Sequence, residues 1–252
     1  MHVPWALLAD SSSGSTWVNH VLSSHPCSVS EGEVLMKNAT ASALFHASAA
    51  GIAAVLHDIT VRNQRTLAST PGAAHCSSTA GGLKLKLGER DILLGSESNA
   101  LQVARELRRL GYRIILLQRT NHLDNLLGRQ SRHRTGVLHC RSRGNVTRTC
   151  QVNSSIVLNC KKAMHSIDRL RLRQRASEVI FSDSSAAGPL RRGRLDRPRA
   201  VAAINDGTGH LLRLEYEDLV GSSHMWLAAL RLLGLPVESA CRAQRAPPNW
   251  PD

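Results

Sequence analysis

The sequence predicts an α/β protein, a single domain in which a parallel sheet is flanked by helices. Two observations carry this. The short apolar runs "VPWALLA" (residues 3–9) and "RIILLQ" (113–118) each end in a polar turn, and each turn opens a helical stretch. Strand followed by helix, repeated along a chain, is the pattern of βαβ units.

Each element follows from its residues. Residues 3–9 are continuously apolar and bounded by a turn cluster, so they read as a buried strand. "GSTWVNHVLSSHP" then reads as a helix, capped by Ser13 or Ser15 and stopped by Pro26, with Trp17, Val18, Val21 and Leu22 as its stripe. Residues 28–37, "SVSEGEVLMK", read as a loop carrying two acids, and the Ala-rich 41–58 as helix. Residues 63–82 are polar and rich in Gly and Ser, which predicts a mobile loop. "GGLKLKL" alternates apolar and basic residues, the period of a strand. In "ESNALQVARELRRLGY", Leu101, Ala104, Leu107 and Leu110 share a helical face and Gly111 ends it. A helix with Thr120 or Asn121 at its cap follows the strand at 113–118.

Residues 140–155 form a polar insertion, and 182–209, with many Arg, Gly and Pro, read as a disordered or poorly packed insert. Between them lies a helix that is basic on its outer face. "HLLRLEYEDLV" reads as a last core strand with an acidic edge, and "MWLAALRLLGLP" as a helix ended by Gly234 and Pro236.

At 252 residues the chain is long enough for a real core. Aromatics are only 3%, so Leu, Val, Ile and Ala must fill it. The net charge of +13 calls for an anionic partner, although an Arg- and Ala-rich composition also follows from a GC-rich genome. No run reaches the ~18 apolar residues of a membrane span. The opening "MHVPWALLAD" lacks the basic region of a signal peptide. Six cysteines contain no C-x-x-C pair, which gives zinc little support; Cys140, Cys150 and Cys160, ten apart, allow one local disulfide. Sequons at Asn38, Asn145 and Asn153 lean towards a secretory compartment. Golgi or secretory lumen and cytoplasm both stay open.

One set of motifs occurs in a fixed order: "SSSGSTWVNHVLSSHP", "GE", "GGLKLKL", "IILLQRTNHLDNLLGRQ", "LRLEYEDLVG" and a late "NW". Together they resemble the sulfotransferases that use 3'-phosphoadenosine 5'-phosphosulfate, in particular the carbohydrate-type branch of plants, algae and bacteria. The likeness runs from about Val3 to about Asn249, without 140–155 and 182–209. It implies a P-loop, nucleotide-kinase-like fold over residues 1–252 and transfer of a sulfuryl group to a carbohydrate hydroxyl. It implies the phosphosulfate nucleotide as co-substrate, with no metal. Chains of that family often continue beyond the Asn-Trp pair, so further residues are expected after it.

By that resemblance, the Ser-rich turn would hold the 5'-phosphate. Backbone N–H groups of Ser13, Gly14, Ser15 and Thr16 would cradle it, the hydroxyls of Ser15 and Thr16 would add donors, and Trp17 follows in the helix. The family usually has Lys or Arg where this chain has Ser12. Lys84 or Lys86 can substitute only if their strand points one of them at the loop. Arg119, at a strand end, would grip the 3'-phosphate with two parallel bonds; its alternative is a surface ion pair. The family's serine two helical turns on falls here at or beside Gly128, with Asn121 and Arg129 near enough to compensate.

The base that takes the acceptor's proton is Glu33 by resemblance, against the plain alternative of a solvated loop acid; His20 competes and Glu31 is third. Glu217 and Asp218 read as structural acids that cap the next helix start and orient the neighbouring strand. The acceptor would be an anionic carbohydrate met by the arginines at 169–175 and 190–199, or these are solvated. No helix-turn-helix, zinc spacing or ribonucleoprotein motif favours a specific nucleic acid. Two other readings stay open: an impaired relative that binds nucleotide or polyanions without catalysis, and a P-loop kinase. The second is disfavoured by the missing Gly-Lys pair.

Overall fold

A computed structural model describes residues 1–87, 97–135, 160–182 and 209–236. Five strands make one sheet: β1 (His2–Ala9), β2 (Ser28–Ser30), β3 (Thr79–Lys86), β4 (Arg113–Gln118) and β5 (Leu211–Glu215). Their order is β2-β3-β1-β4-β5. All four pairings are parallel. The fold class expected from the alternation of strands and helices is therefore the one observed.

The helices are α1 (Ser15–Ser23), α2 (Val34–Lys37), α3 (Ala39–Ala47), α4 (Ala49–Ala68), α5 (Glu97–Arg109), α6 (His122–Thr135), α7 (Cys160–Ser182), α8 (Tyr216–Gly221) and α9 (Ser223–Leu232). They cover both faces of the sheet, which explains why its strands read as apolar runs rather than clean alternations. On one face Ala6, Leu8, Leu83, Leu85, Ile114 and Leu116 pack against α4, α5 and the end of α7. On the other Trp5, Leu7, Ala9, Ile115 and Leu117 pack against α1, α8 and α9.

Lys84 and Lys86 break the apolar run of β3 on the α1 side, yet both are buried. The glycines at the start of that strand have a packing reason. A Cβ on Gly82 would lie 2.0 Å from Cε2 of Trp5. The indole therefore lies against bare backbone.

Several expectations need correction. No side chain caps α1: its N-cap is Gly14, at φ 80°, and the Ser13 hydroxyl is spent on the carbonyl of Asp10 at 2.6 Å. Within 28–37 there is a short strand, β2, and one turn of helix, α2. "SVS" is too short and polar to announce itself; pairing with β3 through Ser28–Ser30 makes it a strand. The Ala-rich helix is two helices broken at Ser48, and the second runs on to Ala68. The segment 63–82 is thus the end of α4, a 3₁₀ turn at Pro71–His75 and the first half of β3. Its polar residues mislead because Asn63 is buried, donating from Nδ2 to the carbonyl of Gly82 at 3.1 Å.

The last strand stops at Glu215, where Glu217 and Asp218 begin the first turn of α8. A disulfide joins Cys27 to Cys76 at the amino-terminal edge of β2 and β3, across 49 residues, a pairing that spacing alone does not suggest. Cys160 has a free, exposed thiol, while Cys140 and Cys150 lie outside the described residues. The insertion at 140–155 lies outside them too, as does 182–209 apart from its two end residues.

Candidate functional site

Parallel strands all present their carboxyl ends at one edge, and helix amino termini gather there. Here β1 runs into the Asp10–Gly14 turn and α1, and its neighbour β4 runs into Arg119 and α6. The turn is tight because two of its residues, on either side of Ser13, are left-handed: Ser12 has φ 61° and Gly14 φ 80°. Ser12 is the one non-glycine residue with positive φ among those described. The ring of Tyr216, at the end of β5, lies against Gly14, so that a Cβ there would come 2.1 Å from its Cε2. Trp17 meets that ring edge-on at 5.8 Å and Trp226 at 5.2 Å.

Arg119 closes the site from β4. Its Nη1 donates to the carbonyl of Ser12 at 3.2 Å, and its guanidinium carbon sits 4.9 Å above the Tyr216 ring. Its Nη2 lies 3.4 Å from Asp124 and its Nε 3.8 Å from Glu217. Arg129 and Arg173 reach the same turn. Arg129 Nε donates to the carbonyl of Ser11 at 3.3 Å, and Arg173 Nη1 donates to buried Asp10 at 3.0 Å. Gln174 of α7 donates to the carbonyl of Arg119 at 3.2 Å. Three guanidinium groups thus fasten a turn that carries one buried carboxylate.

The two helix starts differ. That of α1 has no side-chain cap. That of α6 is filled by the protein itself. Glu217 accepts from the N–H of Thr120 and of Asn121, each at 3.0 Å, and the Asn121 side chain accepts from the N–H of Asp124 at 3.2 Å. Of the two expected cap residues it is Asn121 that caps; Glu217 is structural, but it serves the start of α6 rather than that of the next helix in the chain, α9, which Ser222 caps. Burial would raise the Glu217 carboxyl, but these N–H donors outweigh it and hold it below the usual carboxylate range. The N–H groups of Thr120, Asn121 and Asp124 beside Arg119 are therefore engaged within the protein, unlike the start of α1.

Glu33 lies just before α2, where one ammonium links it to the loop. Lys84 Nζ is 2.7 Å from the Glu33 carboxylate and donates to Thr16 Oγ1 at 2.9 Å. Lys86 is 3.1 Å from the same carboxylate oxygen. The condition set by the sequence is met: β3 points Lys84 at the Ser-rich turn. Burial pushes the Glu33 carboxyl up, yet the charge of Lys86 and the bond and charge of Lys84 win, leaving it below its ordinary value. Burial first, then the like charge of Lys86, lowers Lys84 despite its bond to Glu33. A shallow depression beside this cluster is lined by Glu33, Leu35, Met36, Lys84, Leu85 and Lys86.

The structure thus brings together Ser12, Ser13, Gly14, Ser15, Thr16, Trp17 and Arg119, with Gly128 facing Ser12 and Glu33 joined through Lys84. His20 stands apart, exposed on α1 and outside the hydrogen bonds of the loop. Glu31 is bound to Arg62 at 2.7 Å instead of the site. Asp10 and Tyr216 were not legible as site residues, and Arg173, expected among the arginines that meet the acceptor, instead fastens the turn through Asp10. Asp10 ends an apolar run, and Tyr216 comes from an element far away in the sequence.

Among the described residues no group of three His, Cys, Asp or Glu side chains is placed to hold a metal ion, and no helix is long and apolar enough to cross a membrane. No protein-family model matches the chain, and no curated protein matches it.

Proposed function

We propose that this chain is a sulfotransferase that moves a sulfuryl group from 3'-phosphoadenosine 5'-phosphosulfate to a hydroxyl of a carbohydrate acceptor. The observation that carries the reading is Lys84. Its ammonium sits on Thr16, in the first turn of an uncapped helix start, and so brings a cation to a loop that has Ser12 where the resembled family has Lys or Arg. Support also comes from Arg119, which stands beside the same turn from the adjacent strand.

In the reaction an acceptor oxygen attacks sulfur as the bond from sulfur to the bridging phosphate oxygen breaks. The acceptor's proton goes to Glu33, and 3'-phosphoadenosine 5'-phosphate departs. The N–H groups of residues 13–16 and the Thr16 hydroxyl hold the 5'-phosphate, and Arg119 exchanges its contacts with Asp124 and Glu217 for the 3'-phosphate. Lys84 stabilises the charge that grows on the leaving oxygen. Leaving Glu33 for that oxygen, it also frees the carboxylate to accept the proton.

The competing reading is a nucleotide or polyanion binder without catalysis. Favouring it, Glu33 is locked between two lysines and held at a low pKa, which makes it a weak proton acceptor. The Cys27–Cys76 disulfide favours an oxidising compartment such as the secretory lumen, in accord with the exposed sequon residue Asn38. The test is transfer of radiolabelled sulfate from the donor to a panel of neutral and sulfated polysaccharides. Labelled product that disappears in Lys84→Met supports the enzyme; nucleotide binding with no product on any acceptor supports the binder.

A further inference from the structure

We propose that Asn125 is a positioning residue of the candidate donor site: its carboxamide, unpartnered in the free protein, pairs with the backbone of the Ser11–Ser12 turn when an anion is seated there. The inference rests on the donor-site reading above. Asn125 lies in α6 at 0% exposure, yet neither its Oδ1 nor its Nδ2 has a hydrogen-bond partner. Among the described residues it is the only side chain with two such atoms. A buried amide without partners carries a heavy desolvation cost, and a leucine of the same shape would avoid it. Such groups persist where a function uses them, or where a water or an ion satisfies them.

Helix geometry gives the direction of the carboxamide. Asn125 falls between Gly128, about 60° to one side, and Arg129, about 40° to the other. Both of these meet the turn: a Cβ on Gly128 would lie 3.5 Å from Ser12 Cβ, and Arg129 Nε donates to the Ser11 carbonyl at 3.3 Å. Asn125 thus faces the same two residues, from one helical turn nearer to Arg119. The turn that it faces is unfinished. Ser12 is held at φ 61°, a strained conformation for a residue with a Cβ. The start of α1 has no side-chain cap. Arg119 donates from Nη1 to the Ser12 carbonyl, but its Nε is buried without a hydrogen bond, with Glu217 3.8 Å away.

A carboxamide carries the donor and the acceptor of one peptide unit, so it can satisfy one completely. An anion in the loop draws the N–H groups of residues 13–16 towards itself and re-aims the peptide units before them. Arg119, drawn to the same nucleotide, releases the Ser12 carbonyl. Asn125 Nδ2 then donates to that carbonyl, and Oδ1 accepts a backbone N–H of the turn. Because the amide is paired only in the bound state, it favours that state. Asn125 does not touch the nucleotide; it acts through the turn.

The test is Asn125→Leu in the full chain, which keeps the shape and removes both polar atoms. Without ligand the variant should unfold about 2–4 °C above wild type, because an unpartnered amide has gone. It should bind 3'-phosphoadenosine 5'-phosphate about tenfold more weakly, because the bound turn has lost its partner. Gain in one and loss in the other is the signature of positioning; an asparagine satisfied by a buried water would lose stability and leave affinity unchanged. A second measurement needs no variant. In wild type, the assigned NMR signal of the Asn125 side-chain NH₂ should shift as nucleotide is added, and its hydrogen exchange should slow. Lower stability of Asn125→Leu, wild-type affinity in it, or an Asn125 signal unmoved at saturation overturns the proposal and leaves the donor site standing. No saturable binding of the nucleotide to wild type removes the donor site, and this proposal with it.

Discussion

Ser12 and Gly128 face each other across the candidate donor site: a Cβ built on Gly128 would lie 3.5 Å from Ser12 Cβ and 3.7 Å from its Oγ. These are the two positions that depart from the pattern of the proposed sulfotransferase family, and they are in register. That space admits one methyl group at ordinary contact distance. Gly128 also lies inside a helix, where glycine costs about 0.5–1 kcal/mol against alanine. Gly128→Ala should therefore raise the unfolding free energy by about that amount, measured by urea titration. Ser12, at φ 61°, should gain up to about 1 kcal/mol on replacement by glycine. A loss at either position would show that the turn is held differently.

Lys84, rather than residue 12, should carry the chemistry. Removing a donor aimed at developing charge costs about a hundredfold to a thousandfold in rate, so Lys84→Met should lower sulfuryl transfer by that factor while nucleotide affinity changes less. Ser12→Lys should raise turnover only slightly, because Lys84 already reaches Thr16. A large gain from Ser12→Lys would mean that the loop lacks its cation in the working enzyme.

Gly14→Ala should disable the loop. Its backbone is left-handed, and the new Cβ would enter the Tyr216 ring. Tyr216→Ala should relieve the clash but not the backbone strain, which costs about 1–2 kcal/mol by itself. The double variant is thus expected to unfold at a temperature between those of wild type and Gly14→Ala. Full recovery would place all of the cost in the ring.

Acid should loosen the Glu33 cluster. Its folded pKa lies below its unfolded value, so its contribution to stability is complete above the ordinary carboxylate pKa of about 4.3 and is lost as pH falls through the lower folded value. Glu217 works in the same direction. Glu33→Gln leaves two buried lysines without their shared counter-ion and should cost about 3 kcal/mol at neutral pH. It should also flatten the fall in stability between about pH 5 and pH 3. An unchanged acid slope in this variant would remove Glu33 from the account.

Much of the frame was legible because apolar periodicity and turn chemistry are local. Residues 3–9 and 113–118 became strands, and the stripe at 97–109 became α5. What failed depended on distant partners. β2 exists by pairing with β3, and Asn63 looked like loop because its hydrogen bond to Gly82 lies 19 residues away. In the site, the loop and Arg119 could be named from sequence, and Lys84 only conditionally, since strand direction decides where it points. Tyr216 carries no local signature, and the Arg-rich run that holds Arg173 does not show that it reaches the turn; the sheet order β1-β4-β5 and the passage of α7 across the turn bring them in.

The most direct test of the account is a titration of the protein with 3'-phosphoadenosine 5'-phosphate, on wild type and Arg119→Ala. Two charge-assisted bonds to one phosphate are worth more than about 1.5 kcal/mol, so the variant should bind at least about tenfold more weakly than a micromolar wild type. No saturable binding to the wild type, or equal affinity in the variant, would contradict a donor site between the Ser12–Thr16 turn and Arg119.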